Sequence, residues 1–257
     1  MPELARLGGG GSPRARAAVA DGTAALSLEP GPRWLEGAGA DPATREGVER
    51  LFARLFAALE DVSPELAGHV DVAYEDCGEP GSSYDAATRT VTLCEELVEG
   101  AYEAFVAMRR ERTGRAPSPV ELVRARRAAY DFLGFALYHE LGHALHALGR
   151  VPGTEPVESA ADAVAAVLLV ESGRGRDVLA AAALVAGQSA EREALHGDGV
   201  ARGTELLCLA FGGDAAVRAE PDVPPSVRET YLGREPSCAD AYATARDRVA
   251  ARLGSVR

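Results

Sequence analysis

The chain has 257 residues, 47% of them hydrophobic and 26% charged, and a formal net charge of -12. This composition is ordinary for a globular protein and excludes wholesale disorder, and the mean hydropathy of -0.08 without a long apolar run predicts no membrane span. A chain this acidic repels phosphate backbones, so no nucleic-acid partner is expected, and the absence of lysine removes Schiff-base and P-loop chemistry.

The first part of the chain predicts a tail followed by one domain. Residues 1–40 are rich in Gly, Pro and Ala and contain GGGGS, which is typical of a flexible segment. Residues 41–257 are expected to form a single domain, beginning with an amphipathic helix whose apolar residues recur at helical spacing over 48–59. Residues 70–74 and the segment RTVTL predict two strands, with Tyr84 and Asp85 opening a turn between them, so a small β-hairpin or meander is expected near residues 70–94.

Helices dominate the rest of the chain. The pattern predicts a helix over 97–112, and Ser118, Pro119 and Glu121 form a capping box that begins a long helix ending near Gly149. Four more helices are predicted, over residues 156–172, 176–189, 200–211 and 237–253. The predicted fold class is therefore α+β and mostly helical, with one small sheet.

The strongest chemical signal is the segment HELGH at residues 139–143. His139 and His143 are one helical turn apart, so both imidazoles can reach one metal ion, while Glu140 points to the side and can act as a general base. His146 falls on the same face and is expected to form a cleft wall or to support a ligand. The competing interpretation, two histidines on an apolar core helix, leaves Glu140 unexplained.

A catalytic zinc site needs a third protein ligand and an open position for water. The segment ESAAD places Glu158 and Asp162 four residues apart on the next predicted helix. Glu158 is the expected third ligand, and Asp162 is expected to accept a hydrogen bond from a ligating histidine. If Glu158 is instead an ordinary surface acid near a helix N-terminus, Asp162 or Glu155 becomes the third ligand.

The four cysteines do not decide whether the protein resides in an oxidising or a reducing compartment. An even count fits two disulfides in any of three connectivities, and it equally fits four buried thiols in a reducing compartment. The N-terminus lacks the apolar core of an export signal, which points away from secretion. The cysteines are Cys77, Cys94, Cys208 and Cys238.

With these motifs the chain resembles the glutamate-ligand branch of the zincin peptidases and, more narrowly, an uncharacterised bacterial family of zinc metallopeptidase-like proteins. The resemblance covers roughly residues 45–254. It rests on the segments YEDCGEP, SSYDAATRTVTLCEEL, YHELGHALHAL, ESAADAVAA, HGDGVARGTELLCLAFGGD and REPSCADAY.

The resemblance implies a zincin-like domain in which His139, His143 and Glu158 hold one Zn²⁺ and Glu140 is the catalytic base. The family's cysteines match those of this chain, which favours the pairs Cys77–Cys94 and Cys208–Cys238, each closing a short loop. Such proteins usually carry an export signal, so the paired cysteines favour an extracytoplasmic location although no signal is visible here.

The expected reaction is hydrolysis of a peptide or protein substrate by a metal-activated water, with Glu140 taking the proton. A further donor is expected to stabilise the oxyanion, with His196 favoured over Arg202 and Tyr138. Two other functions stay open: a metal-bearing binding module without turnover, and a zinc hydrolase that acts on a non-peptide amide. The sequence indicates no oligomeric state and no substrate preference.

Overall fold

The computed structural model describes residues 70–147, 157–187, 198–220, 229, 231 and 237–253, together with the backbone of residues 16–20 and 23–27. The amphipathic helix predicted over 48–59 lies outside these residues. Five strands are described: β1 Arg16–Ala20, β2 Thr23–Ser27, β3 Asp71–Glu75, β4 Ser82–Asp85 and β5 Thr90–Cys94. The described helices are α1 Glu96–Thr113, α2 Pro119–Ala147, α3 Val157–Glu171, α4 Gly175–Ala186, α5 Gly199–Gly213, α6 Ala215–Arg218 and α7 Cys238–Leu253.

The small sheet of residues 71–94 has the order β3-β5-β4, with β5 in the centre. Strand β5 pairs antiparallel with β4 and parallel with β3. The expected small sheet is therefore present and contains a hairpin, but the hairpin joins β4 to β5, and the two predicted strands, β3 and β5, run parallel. Tyr84 and Asp85 belong to β4, and the turn occupies residues 86–89. The strand continues to Asp85 because Asp85 still pairs with Thr90, and the Asp85 side chain then accepts a hydrogen bond from the Ala87 amide.

Two strands lie within the segment that the composition predicts to be a tail. Strands β1 and β2 pair antiparallel from Arg16↔Ser27 to Ala20↔Thr23. The sequence between them is Asp21-Gly22, and an Asp-Gly pair is a strong signal for a two-residue hairpin turn. The surrounding residues are rich in Gly and Pro, and this composition favours the interpretation as a flexible tail. The domain boundary near residue 40 stays a prediction.

Helix α2 is the centre of the fold and begins as the capping box predicts. The Ser118 amide donates to Glu121 Oε2 at 2.8 Å, and the Glu121 amide donates to Ser118 Oγ at 3.4 Å. Its second half is almost entirely buried, because α1, α3, α4 and the β4–β5 hairpin pack around it. Residues 139–143 lie in this buried half, so the fold rather than a loop fixes the position of the HELGH side chains.

Helices α2 and α3 approach closely where HELGH passes ESAAD. A Cβ placed on Gly142 would lie 2.7 Å from the Cα of Ala161 and 2.9 Å from its carbonyl oxygen, closer than atoms of this kind approach in folded proteins. Only glycine therefore fits at position 142 without moving a backbone. This contact places the first turn of α3 beside the histidines of α2.

Both cysteine pairs expected from the family pattern are confirmed as disulfides. Cys77 bonds to Cys94, which links the loop after β3 to the end of β5, and Cys208 bonds to Cys238, which links α5 to the start of α7. Among the helices of the described ranges, none is both long enough and apolar enough to cross a membrane. The α+β, mostly helical class is also confirmed.

Replacement of Gly142 by Ala is expected to destabilise the protein. Helix propensity alone favours Ala by about 1 kcal/mol, but the added methyl group must push α2 and α3 apart, so we expect a net loss of about 1–3 kcal/mol in the free energy of unfolding measured in urea. Ala107→Gly, at an exposed site on α1, measures the propensity effect in the same protein. A Gly142→Ala variant as stable as the wild type would contradict the backbone contact.

Loss of the Cys208–Cys238 disulfide is expected to destabilise the fold through the unfolded state. The bond closes a loop with a sequence separation of 30 residues, and replacing both cysteines by Ser should lower the free energy of unfolding by about 3–4 kcal/mol. Urea unfolding with and without a reductant measures the effect. The reductant should lower the free energy of unfolding of the wild type more than that of the double variant, which keeps only the Cys77–Cys94 bond. If the reductant lowers both values equally, the Cys208–Cys238 bond adds no stability.

Candidate metal centre

Helix α2 brings His139 and His143 together at the surface of the core. The two Nε2 atoms lie 3.0 Å apart, and the rings meet edge to face. His139 is buried, and His143 is partly exposed. Two imidazole nitrogens at this separation, with one ring open to solvent, are arranged to bind the same cation.

Glu158, in the first turn of α3, provides the third donor. Its Oε2 lies 3.5 Å from His139 Nε2, and its Oε1 lies 3.4 Å from His143 Nε2. Ligands about 2.1 Å from a tetrahedral zinc ion are themselves about 3.4 Å apart. The three side chains therefore could hold one small divalent cation, and they form one of the two clusters of this kind within the described part of the chain.

Asp162 lies one turn after Glu158, behind His139. Its Oδ1 is 2.8 Å from His139 Nδ1, within hydrogen-bonding range. With Nδ1 held in this way, Nε2 is the nitrogen left for a metal. Asp162 thus lies beside Nδ1 of the imidazole, and Glu158 lies beside Nε2.

Arg202, on α5, binds both acids of the ESAAD segment. Its Nε donates to Asp162 Oδ2 at 2.6 Å, and one Nη donates to Asp162 Oδ1 at 2.9 Å. The other Nη lies 3.2 Å from Glu158 Oε2. Arg202 is only 7% exposed, and its guanidinium faces these carboxylates rather than an open cleft. It therefore does not suit the role of oxyanion donor, for which the sequence offered it as an alternative to His196.

The pKa values reflect this network of charges. Burial lowers the pKa of His139, but the contacts with Asp162 and Glu158 outweigh burial and raise the pKa to about 9. Burial raises the pKa of Glu158, yet the contacts with the two histidines hold that pKa far below its usual value. Since a metal ligand must be an unprotonated imidazole, a bound cation competes with a proton at His139.

Glu140 is buried and is held by a residue that the sequence did not reveal. Ser82 Oγ, on the edge strand β4, donates to Glu140 Oε1 at 2.8 Å. The two residues are 58 positions apart, and the contact depends on how the β4–β5 hairpin packs against α2. No local pattern in the sequence could have indicated it.

Of the other candidate residues, those in the described ranges do not join this cluster. His196 lies outside the described residues, so its role stays a prediction. Tyr138 is fully buried, and the expectation that it could face a substrate is wrong because residue 138 of α2 points into the core. His146 is partly buried, and its Nδ1 has no hydrogen-bond partner among the described residues.

A second cluster, Cys77, Cys94 and Glu96, also has metal-ligand spacing. Its sulfur atoms form a disulfide, and the Glu96 carboxylate accepts hydrogen bonds from the amides of Cys77 and Gly78. The three side chains therefore already have partners, and this cluster serves to fix the loop after β3.

Comparison with known protein families gives a match. A family model, DUF4344, described as "Putative metallopeptidase", matches residues 47–250. Comparison with curated proteins and with solved structures gives no match. The matched range includes every residue of the three-donor cluster, Glu140 and all four cysteines. The chain therefore belongs to this metallopeptidase family.

Proposed function

We propose that the protein is a zinc-dependent metallopeptidase with a zincin-like catalytic site. The observation that carries the proposal is the convergence of His139, His143 and Glu158 at the distances of a single ion's ligands. Family membership supports a metallopeptidase in general. The choice of zinc rests on the donor set, since two imidazoles and one carboxylate are a common zinc ligand set in peptidases.

In this proposal the protein binds one Zn²⁺ through His139 Nε2, His143 Nε2 and a Glu158 oxygen. When bound, zinc supplies Lewis acidity that lowers the pKa of a water ligand toward about 7. Asp162 orients His139 through the Nδ1 contact of 2.8 Å, and burial of this side of the imidazole keeps water from competing for that contact.

Glu140 is the proposed general base. It directly follows a proposed ligand, is 5% exposed, and is fixed through Oε1 by Ser82. Because Ser82 occupies Oε1, the other oxygen of Glu140 is the one proposed to take a proton from the attacking water and to pass it to the leaving amine. His196 remains the proposed oxyanion donor from the sequence.

The proposed substrate is a peptide or protein, and the proposed location is extracytoplasmic. The two disulfides support an oxidising compartment, because structural disulfides persist there and are rare in reducing ones.

Glu140→Gln is expected to separate catalysis from metal binding. The amide keeps the shape of the carboxylate but cannot act as a base, so kcat on a mixture of synthetic peptides should fall at least about a hundredfold. Zinc content after reconstitution, measured by atomic emission, should stay at one equivalent. Glu103→Gln, at an exposed site on α1, is the matched control.

Three outcomes of this experiment count against the proposal. A wild type that retains no zinc overturns the metal site. A wild type that binds zinc but cleaves no peptide favours a binding module or an enzyme acting on a non-peptide amide. An active Glu140→Gln variant removes Glu140 from the mechanism.

Ser82→Ala is expected to lower kcat about tenfold, equivalent to about 1.4 kcal/mol, because Glu140 loses the hydrogen bond that fixes its rotamer. The KM and the zinc content should change little, and Ser82→Thr should recover part of the rate. Ser83→Ala, on the exposed face of the same strand, is the matched control. If both serine variants are equally active, Ser82 has no role in positioning the base.

A further inference from the structure

Arg202 is a buried cation shared between two carboxylates with different roles. Its Nε and one Nη bind the two oxygens of Asp162, which makes that pair bidentate, and the other Nη reaches Glu158. A guanidinium presents its donors in a fixed plane, so the Asp162 contact determines where the remaining Nη points. Arg202 therefore constrains Glu158 through a contact that is itself fixed by Asp162.

The two oxygens of Glu158 have different surroundings. Oε2 lies 3.2 Å from the Arg202 guanidinium and 3.5 Å from His139 Nε2. Oε1 lies 3.4 Å from His143 Nε2. A carboxylate that binds an ion through both oxygens must turn both toward it, and here Oε2 has the Arg202 guanidinium as well as His139 Nε2 within reach, so Arg202 and a bound ion compete for this oxygen.

From this geometry we propose that Arg202 is a positioning residue that restricts Glu158 to single-oxygen coordination through Oε1 and thereby leaves one position on the ion open. The proposal rests on the proposed zinc site. Its chemical consequence is direct, because a catalytic zinc ion needs three protein ligands and a vacant fourth position for water. A second oxygen from Glu158 would occupy or crowd that position.

The test measures coordination number rather than activity. The zinc-loaded protein is examined by X-ray absorption at the zinc edge, and the Co²⁺-substituted protein by visible absorption, which weakens as coordination rises from four to five. We expect four-coordinate metal in the wild type. In Arg202→Lys the ammonium lacks the planar fork that binds Asp162 through two donors while a third reaches Glu158, so the Glu158 contact is no longer fixed; Glu158 should then bind through two oxygens and give five-coordinate metal.

Further variants keep the test valid if Arg202→Lys folds poorly. Arg202→Met combined with Asp162→Asn removes both charges of the buried pair and should also give five-coordinate metal. Asp162→Asn alone removes the bidentate pair that directs the remaining Nη of Arg202 to Glu158, so it should shift the coordination number in the same direction as the double variant. Arg126→Lys, in a surface pair with Glu99, is the control for the substitution itself.

The outcomes separate this inference from the proposed peptidase activity. Four-coordinate metal in both Arg202 variants, or five-coordinate metal in the wild type, overturns the role of Arg202. A wild type that binds no metal overturns both proposals. A four-coordinate wild type that cleaves no peptide, with five-coordinate Arg202 variants, supports the role of Arg202 and contradicts only the peptidase activity.

Discussion

The backbone contact between α2 and α3 at Gly142 and Ala161 is the constraint on which the site depends. HELGH supplies two donors from one helix, but a third donor must come from another, and a carboxylate side chain is short. The missing Cβ of Gly142 lets α3 approach α2 closely enough for Glu158 to reach the histidines. The glycine within HELGH is thus a packing residue, distinct in role from the histidines on either side of it.

The charges at the site form a layered arrangement. The two histidines and Glu158 face one point, Asp162 lies behind His139, and Arg202 lies behind both acids. Burying carboxylates is costly unless each is paired, and here every buried acid of the ESAAD segment has a cationic or hydrogen-bonding partner. These charged groups depend on one another, because removing any one of them leaves the charge of another buried without a partner.

Much of the fold could be predicted because it is encoded locally. Helical periodicity and the capping box at Ser118 gave the helices of the described ranges to within a few residues, except the four-residue α6, and HELGH with ESAAD gave the cluster of three donors and Asp162. The strand order was missed, since parallel pairing of β3 with β5 leaves no local signal in an alternating segment. Ser82 and the contacts of Arg202 were missed because their partners are 58 and 40 positions away along the chain.

These long separations also affect when the site forms during folding. Arg202 belongs to α5, and the Cys208–Cys238 bond fastens that helix to α7 near the end of the chain. Contacts between distant segments form late, because their loop-closure entropy must be overcome first. A growing chain that has emerged only through α3 already carries all three candidate donors but lacks Arg202, so the complete charge network arises only once α5 has also been synthesised.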